Sequence, residues 1–303
     1  MRLVVALGGN ALLQRGDRPD ADVEIGRIRD AAAALAPVLT EHQVLLVHGN
    51  GPQVGLLALE SEADVSLTRP YPLDALGAQT QGMVGYWLAQ ALRNAGVAGP
   101  VVSVVTQTIV DADDPAFAHP TKFVGAVYAH QTALAHSKAR GWAVAADGTG
   151  WRRVVASPRP VRIVEQPIIE HLLESGVSVI CGGGGGAPVV EEGGLLRGVE
   201  AVVDKDWTAA ILAIALDADQ LVVLTDVEAV MREFGTPRAT AIRQLDLDQI
   251  RDARFSAGSM APKVAACAHF VIATGRTAAI GRLDQAPQVL NGAAGTAIVA
   301  SKR

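Results

Sequence analysis

The sequence predicts an α/β protein with a mostly parallel sheet and helices crossing over its faces. Three observations carry this. Short β-branched runs recur and are apolar at consecutive positions, as strands buried on both faces must be. Segments of helical pattern lie between them, and strand alternating with helix builds a parallel sheet with right-handed crossovers. Half of the 303 residues are hydrophobic and 19% are charged, which excludes a disordered or fibrous chain.

Taken in order, residues 3–7 are an apolar run stopped by Gly8-Gly9-Asn10. A helical pattern covers 26–39. The run 44–47 ends at His48-Gly49-Asn50-Gly51-Pro52-Gln53, and 77–92 is again helical. Strand-like 101–105 follows. Helix 168–174 and strand 177–180 lead into Cys181 and five glycines, Gly182 to Gly186. Residues 206–216 form an apolar helix, about half the length a bilayer span requires. Strands 221–224 and 297–299 complete the series. The interval 111–161 breaks this rhythm with Pro115, Pro120, Pro158 and Pro160, two tryptophans and a strand-like R-R-V-V. It reads as a small inserted lid or subdomain within a single domain spanning 1–303, or as an irregular crossover packed on the body.

Composition narrows the function. With 4% aromatic residues the core must come from Ala, Val, Leu and Ile. A net charge of −5 gives no footprint for nucleic acid or an anionic membrane. Two cysteines, Cys181 and Cys267, cannot staple a chain this long and point to a reducing cytoplasm. The amino terminus meets glycine before it forms a signal-peptide core. The expectation is a soluble cytoplasmic protein.

The 31 glycines concentrate where strands end, the ligand-binding edge of an open α/β sheet. Glycine there lets backbone N–H groups approach an anion, and the next helix adds its positive end. Three such loops favour phosphate binding. No Walker P-loop or protein-kinase motif is present. Gly182, Gly184 and Ala187 match a loose dinucleotide spacing, but Pro188-Val189-Val190 follows where that motif needs a helix.

Phosphoryl transfer needs its spread negative charge neutralised. The chain has five lysines, and three have suggestive surroundings. Lys263 follows Pro262, placed for a helix's first turn. Lys205 sits in Asp204-Lys205-Asp206, and Lys122 in Pro120-Thr121-Lys122. An isolated lysine is ordinarily just a solvated surface group, and Asp206 is well placed as a helix N-cap. No C-x-x-C, no H-E-x-x-H and no ligand-like histidine spacing occurs, so no metal ligands are assigned. His48 reads as a structural group, and Cys181 as core.

The blocks G-G-N-A at 8–11, H-G-N-G-P-Q-V-G at 48–55 and T-Q-G-x-x-G-Y-W-L at 80–88 resemble the carbamate kinase family. So do P-T-K at 120–122, G-W-R-R-V-V-x-S-P-x-P at 150–160 and C-G-G-G-G-G-x-P-V-V at 181–190. G-V-E-A-V-V-D-K-D at 198–206 and G-S-M-x-P-K-V at 258–264 complete the set, in family order along the whole chain. The resemblance implies an α/β/α sandwich, the amino acid kinase-like fold, around a sheet of about eight strands, usually in a homodimer. It implies the reaction ATP + carbamate ⇌ ADP + carbamoyl phosphate with Mg²⁺. In many members the flux runs toward ATP, in arginine or purine fermentation.

By resemblance, Gly8, Gly9, Asn10, Gly49, Asn50 and Gly51 hold carbamate and the transferred phosphoryl group. Lys122 is the lid lysine, Lys205 and Lys263 flank the phosphates, and Asp206 organises them. Asp204, Thr225, Asp226, Met260 and Lys263 fall beside the nucleotide. Two positions depart from the family pattern: Phe123 where proline is usual, and Asp226 where glycine is frequent. Rival readings are an acylglutamate or phosphonate kinase of the same fold, and a non-catalytic nucleotide-binding protein. Many of those kinases carry a lysine in the first strand, where this chain has Val5-Ala6-Leu7. A pure binder would have lost its lysines.

Overall fold

Strands that are apolar at every position need a covering layer on each side, and the computed structural model, which describes residues 1–12, 17, 18, 20–252 and 260–301, supplies both. The central sheet has eight strands. From edge to edge they are Gln244–Asp246, Thr296–Val299, Ala278–Arg282, Gln220–Thr225, Arg2–Leu7, Gln43–His48, Ser178–Ile180 and Val101–Ser103. All pairs are parallel except Thr296–Val299 against Ala278–Arg282.

Side chains along each strand divide between two cores. Val4 and Ala6 join one while Leu3, Val5 and Leu7 join the other; Leu45 and Val47 part from Val44 and Leu46 in the same way, and Leu221 and Val223 from Val222 and Leu224. The first core is closed by helices Gln166–Glu174, Lys205–Ala215 and Met260–Thr274. Ala21–Glu41, Leu73–Asn94 and Ala286–Leu290 close the second. This is the three-layer α/β/α sandwich that the sequence resemblance implies. Among the described residues, no helix is long and apolar enough to cross a membrane.

All six anticipated strands lie in this sheet, although Val101–Ser103 is shorter than 101–105. Helix Ala21–Glu41 begins earlier than its apolar pattern because its first turn carries Asp22 and Glu24. Two strands went unread. Ala278–Arg282 has a single β-branched residue, and Gln244–Asp246 is three residues at an edge.

A second, four-stranded sheet comprises Leu195–Gly198, Ala187–Glu192, Gln107–Val110 and Pro160–Ile163. Ala187–Glu192 is thus a strand, with no dinucleotide-binding helix after the glycines. Within 111–161 lies a third sheet, Lys122–Tyr128, Gly150–Val155 and Ala143–Asp147, with helix His130–Arg140. It rests on helix Gly51–Ala63 through its own apolar cluster of Val54, Ala58, Leu73, Leu76, Val124 and Val155. Further along that helix, the Glu62 carboxylate accepts hydrogen bonds from Arg140, Trp142 and Arg153 of the small sheet and its helix.

Candidate active site

Three neighbouring strands, Gln220–Thr225, Arg2–Leu7 and Gln43–His48, end side by side, so the loops that follow them converge. Gly8 N donates to Leu224 O at 2.7 Å and Gly49 N to Leu7 O at 3.0 Å, which ties the loops together. Asn50 then occupies the cap position of helix Gly51–Ala63, with Pro52 in its first turn. The positive end of that helix opens at the loops.

A cavity of about 330 Å³ lies here. Its wall includes Gly8, Gly9, Gly49, Asn50, Gly51, Lys122, Asp204, Lys205, Asp206, Thr225 and Lys263. Eleven residues anticipated from the sequence are therefore brought together, from segments up to 255 positions apart (263 less 8). Asn10 lies in the short helix Gly9–Leu12, and its side chain falls outside what is described, as do Gly258 and Ser259. Asp226 and Met260 do not line the cavity. The Asp226 carboxylate accepts from Thr225 Oγ1 at 3.0 Å, and Met260 packs against the first core.

Charge is concentrated around one carboxylate. Lys205 Nζ stands 2.7 Å from Asp206 Oδ1, and Lys263 Nζ 3.0 Å from Asp206 Oδ2. The Asp206 side chain is only 3% exposed, so this is a buried ion triad. Burial pushes the Asp206 carboxyl up, but the two ammoniums outweigh it and hold it below the usual carboxylate range. Lys205 is lowered, first by burial and then by the Lys263 charge. For Lys263 burial opposes the charged form, yet Asp206 and Asp204 raise it overall.

Lys122 reaches across from the small sheet to Asp204 Oδ2 at 2.6 Å. Burial works against the Asp204 carboxylate, but Lys122 and Lys205 together depress it. Asp204 also accepts from Asp206 N at 2.9 Å and is the N-cap of helix Lys205–Ala215. This corrects the sequence reading: Asp206 sits inside the first turn, one residue past the start, and is free to hold lysines because Asp204 does the capping. Three lysines face two aspartates, leaving the cavity net positive in a chain of net charge −5.

The five-glycine run serves the site from behind. All five glycines are buried, and Gly184 alone of them lines the cavity. Gly184 has φ +62°, and a Cβ there would lie 2.1 Å from the Asn50 amide nitrogen. Only glycine lets Asn50 keep its place, where its Nδ2 donates to Thr80 Oγ1 at 2.8 Å. Thr108 and Thr208 hydroxyls both donate to Gly185 O. Sequence reasoning missed Arg152, Val202 and Val203 in the wall. For Arg152 the signal was the strand-like R-R-V-V.

His48 is buried, its Nδ1 donating to Gly49 O at 3.0 Å. Burial pushes it down to about 4. The native ring therefore stays neutral while the unfolded chain takes up a proton near pH 6.5, so unfolded chains bind more protons between those values. Stability should fall as pH drops from about 6.5 to about 4, by up to about 1.4 kcal/mol per unit from this residue. Urea unfolding of the wild type and His48→Gln at pH 7, 6 and 5 checks this. The variant should lose that share of the slope, and equal slopes would refute it.

Residues 1–282 match the model of the amino acid kinase family. The chain is 49% identical to a carbamate kinase of Rhizobium meliloti, covering 99% of this chain and 94% of that one. It is 48% identical to the carbamate kinase of Escherichia coli K12, covering 98% of each. The solved structure of a carbamate kinase from Giardia lamblia bound to AMP-PNP superimposes with a TM-score of 0.90 at 39% identity, covering 99% of this chain and 98% of that one.

Proposed function

The chain belongs to the amino acid kinase family and, within it, to the carbamate kinases, and from that premise we propose how its cavity moves a phosphoryl group between ATP and carbamate. The observation that carries the reading is the pair of buried lysines sharing Asp206 at converging glycine loops. Carbamate is already an anion, so its attacking oxygen needs no general base. His48, buried and bonded to Gly49, is not asked to be one.

What the step requires is two anions held in line and their charge neutralised. The loops carrying Gly8, Gly9, Asn10, Gly49, Asn50 and Gly51 hold carbamate and the transferred phosphoryl group, with the Gly8 and Gly49 N–H groups spent on tying those loops together. Lys205 and Lys263 neutralise the phosphate oxygens, with Asp206 fixing both ammoniums in advance. Lys122 completes the charge from the lid, the small sheet within 111–161. Asp204, Thr225, Asp226 and Met260 fall toward the nucleotide. The relative solved with AMP-PNP supports an adenine nucleotide as donor.

Mg²⁺ enters as part of the nucleotide substrate. Asp204 and Asp206 are committed to lysines, and among the described residues no three His, Cys, Asp or Glu side chains group as a metal site. Phosphate oxygens and water would be among its ligands, as is usual for this ion. A homodimer in the cytoplasm, making ATP at the end of arginine breakdown, follows from the resemblance.

Forward assays with carbamate, N-acetylglutamate and a phosphonate test the substrate. ADP release is expected only with carbamate. Activity on either of the others alone would overturn the reading, and Mg·ADP binding without any turnover would mark a binder.

A further inference from the structure

Lys122 must stand at a defined height over the cavity, on a sheet that rests on helix Gly51–Ala63 through Val124 and its neighbour Val155. Between that sheet and the body lies a second cavity of about 760 Å³, walled by Ala58, Arg69, Tyr71, Trp142 and Val154 among others. Apolar packing and this cavity share the seam, so the closest backbone contact near the lysine is the one that fixes its height.

One contact stands out. Gly55 is buried inside helix Gly51–Ala63, where glycine is the poorest ordinary helix former. A Cβ on Gly55 would lie 2.4 Å from the Cα of Gly125. Two backbones therefore touch directly, at a place where no side chain fits. Gly125 has φ +76°, and the pairing of its strand with Gly150–Val155 shifts register between Val124 and Tyr128. Arg152 spans that bulge: its Nε donates to Gly125 O at 2.7 Å, while its Nη1 holds Asp147 at 2.9 Å. Lys122 lies three residues before Gly125 on this strand.

We infer that the Gly55–Gly125 backbone contact is the seat that sets the position of Lys122, and that Gly55, Gly125 and Arg152 are positioning residues for it. This rests on the reading of Lys122 as the lysine that reaches the substrate. A methyl group at position 55 lifts the strand, and loss of the Arg152 bond frees the bulge; both move the ammonium without touching Lys205 or Lys263.

The test is a double-mutant cycle on ATP formation from carbamoyl phosphate and Mg·ADP. Gly55→Ala is expected to lower kcat by about 100-fold, the scale of a misplacement of roughly 1 Å. Affinity for Mg·ADP should stay within about twofold. In a Lys122→Ala background, Gly55→Ala should change the rate by less than about twofold, because the group it positions is gone. Arg152→Lys, which loses the Nε bond to Gly125 O but keeps the positive charge of the cavity wall, should behave alike and carries the test if Gly55→Ala does not fold. Effects that multiply with Lys122→Ala, or single variants at wild-type rates, would overturn the seat. A Lys122→Ala enzyme at near-normal rates would instead overturn the role of the lysine itself.

Discussion

Lys205→Ala is expected to reduce kcat for phosphoryl transfer by about 10³-fold or more, while the protein remains folded. The rate loss follows from removing a fixed, buried positive charge from the oxygens whose negative charge the transition state spreads. Survival of the fold follows from the geometry. Lys205 shares Asp206 with Lys263, so the buried carboxylate keeps a partner at 3.0 Å after the substitution. Asp204 still caps the helix through Asp206 N. Steady-state kinetics beside a thermal melt check both parts. A variant with near-normal turnover would remove Lys205 from the machinery.

Asp206→Asn should be costlier, because it damages stability and catalysis together. Two ammoniums, one 12% and the other 9% exposed, would share the interior with only Asp204, itself paired with Lys122, as counter-charge. Breaking a buried ion group by removing one member costs about 3–5 kcal/mol, which denaturant unfolding can read directly. Catalysis should respond through protonation. Lys205 is already lowered by burial, and Asp206 is its largest raising influence. Without that carboxylate Lys205 drops further and loses its charge at a lower pH than in the wild type. The remaining activity of Asp206→Asn should therefore rise as pH is lowered, whereas unchanged stability with a flat pH profile would contradict the triad.

Much of this was legible in the chain because the chemistry is local to short motifs. A strand buried on both faces must be apolar throughout, so residues 3–7, 44–47 and 221–224 announced themselves. The loops after 3–7 and 44–47 carry their glycines in sequence, and those two strands turn out to be adjacent, with 221–224 beside them. Asp204-Lys205-Asp206 was readable as a charged cluster, but which aspartate caps the helix was not, since either fits an N-cap by residue type. The structure gives Asp204 the cap and leaves Asp206 facing two lysines.

What stayed hidden depends on distant pairs. Gly55 ends a recognisable motif, yet nothing in the sequence says that Gly125 lies against it. Glu62 reads as an ordinary polar residue near a helix end; its role in tying down Arg140, Trp142 and Arg153 exists only once the small sheet folds over it. Strand Ala278–Arg282 was missed for a different reason. Its alanines and glycine have little strand propensity, and its place in the sheet comes from burial between neighbours.

The most direct measurement is the initial rate of ATP formation from carbamoyl phosphate and Mg·ADP by the purified wild-type chain, beside Lys205→Ala. The account predicts ready ATP formation by the wild type and a loss of about 10³-fold in the variant. No ATP from the wild type, or equal rates from the two proteins, would contradict it.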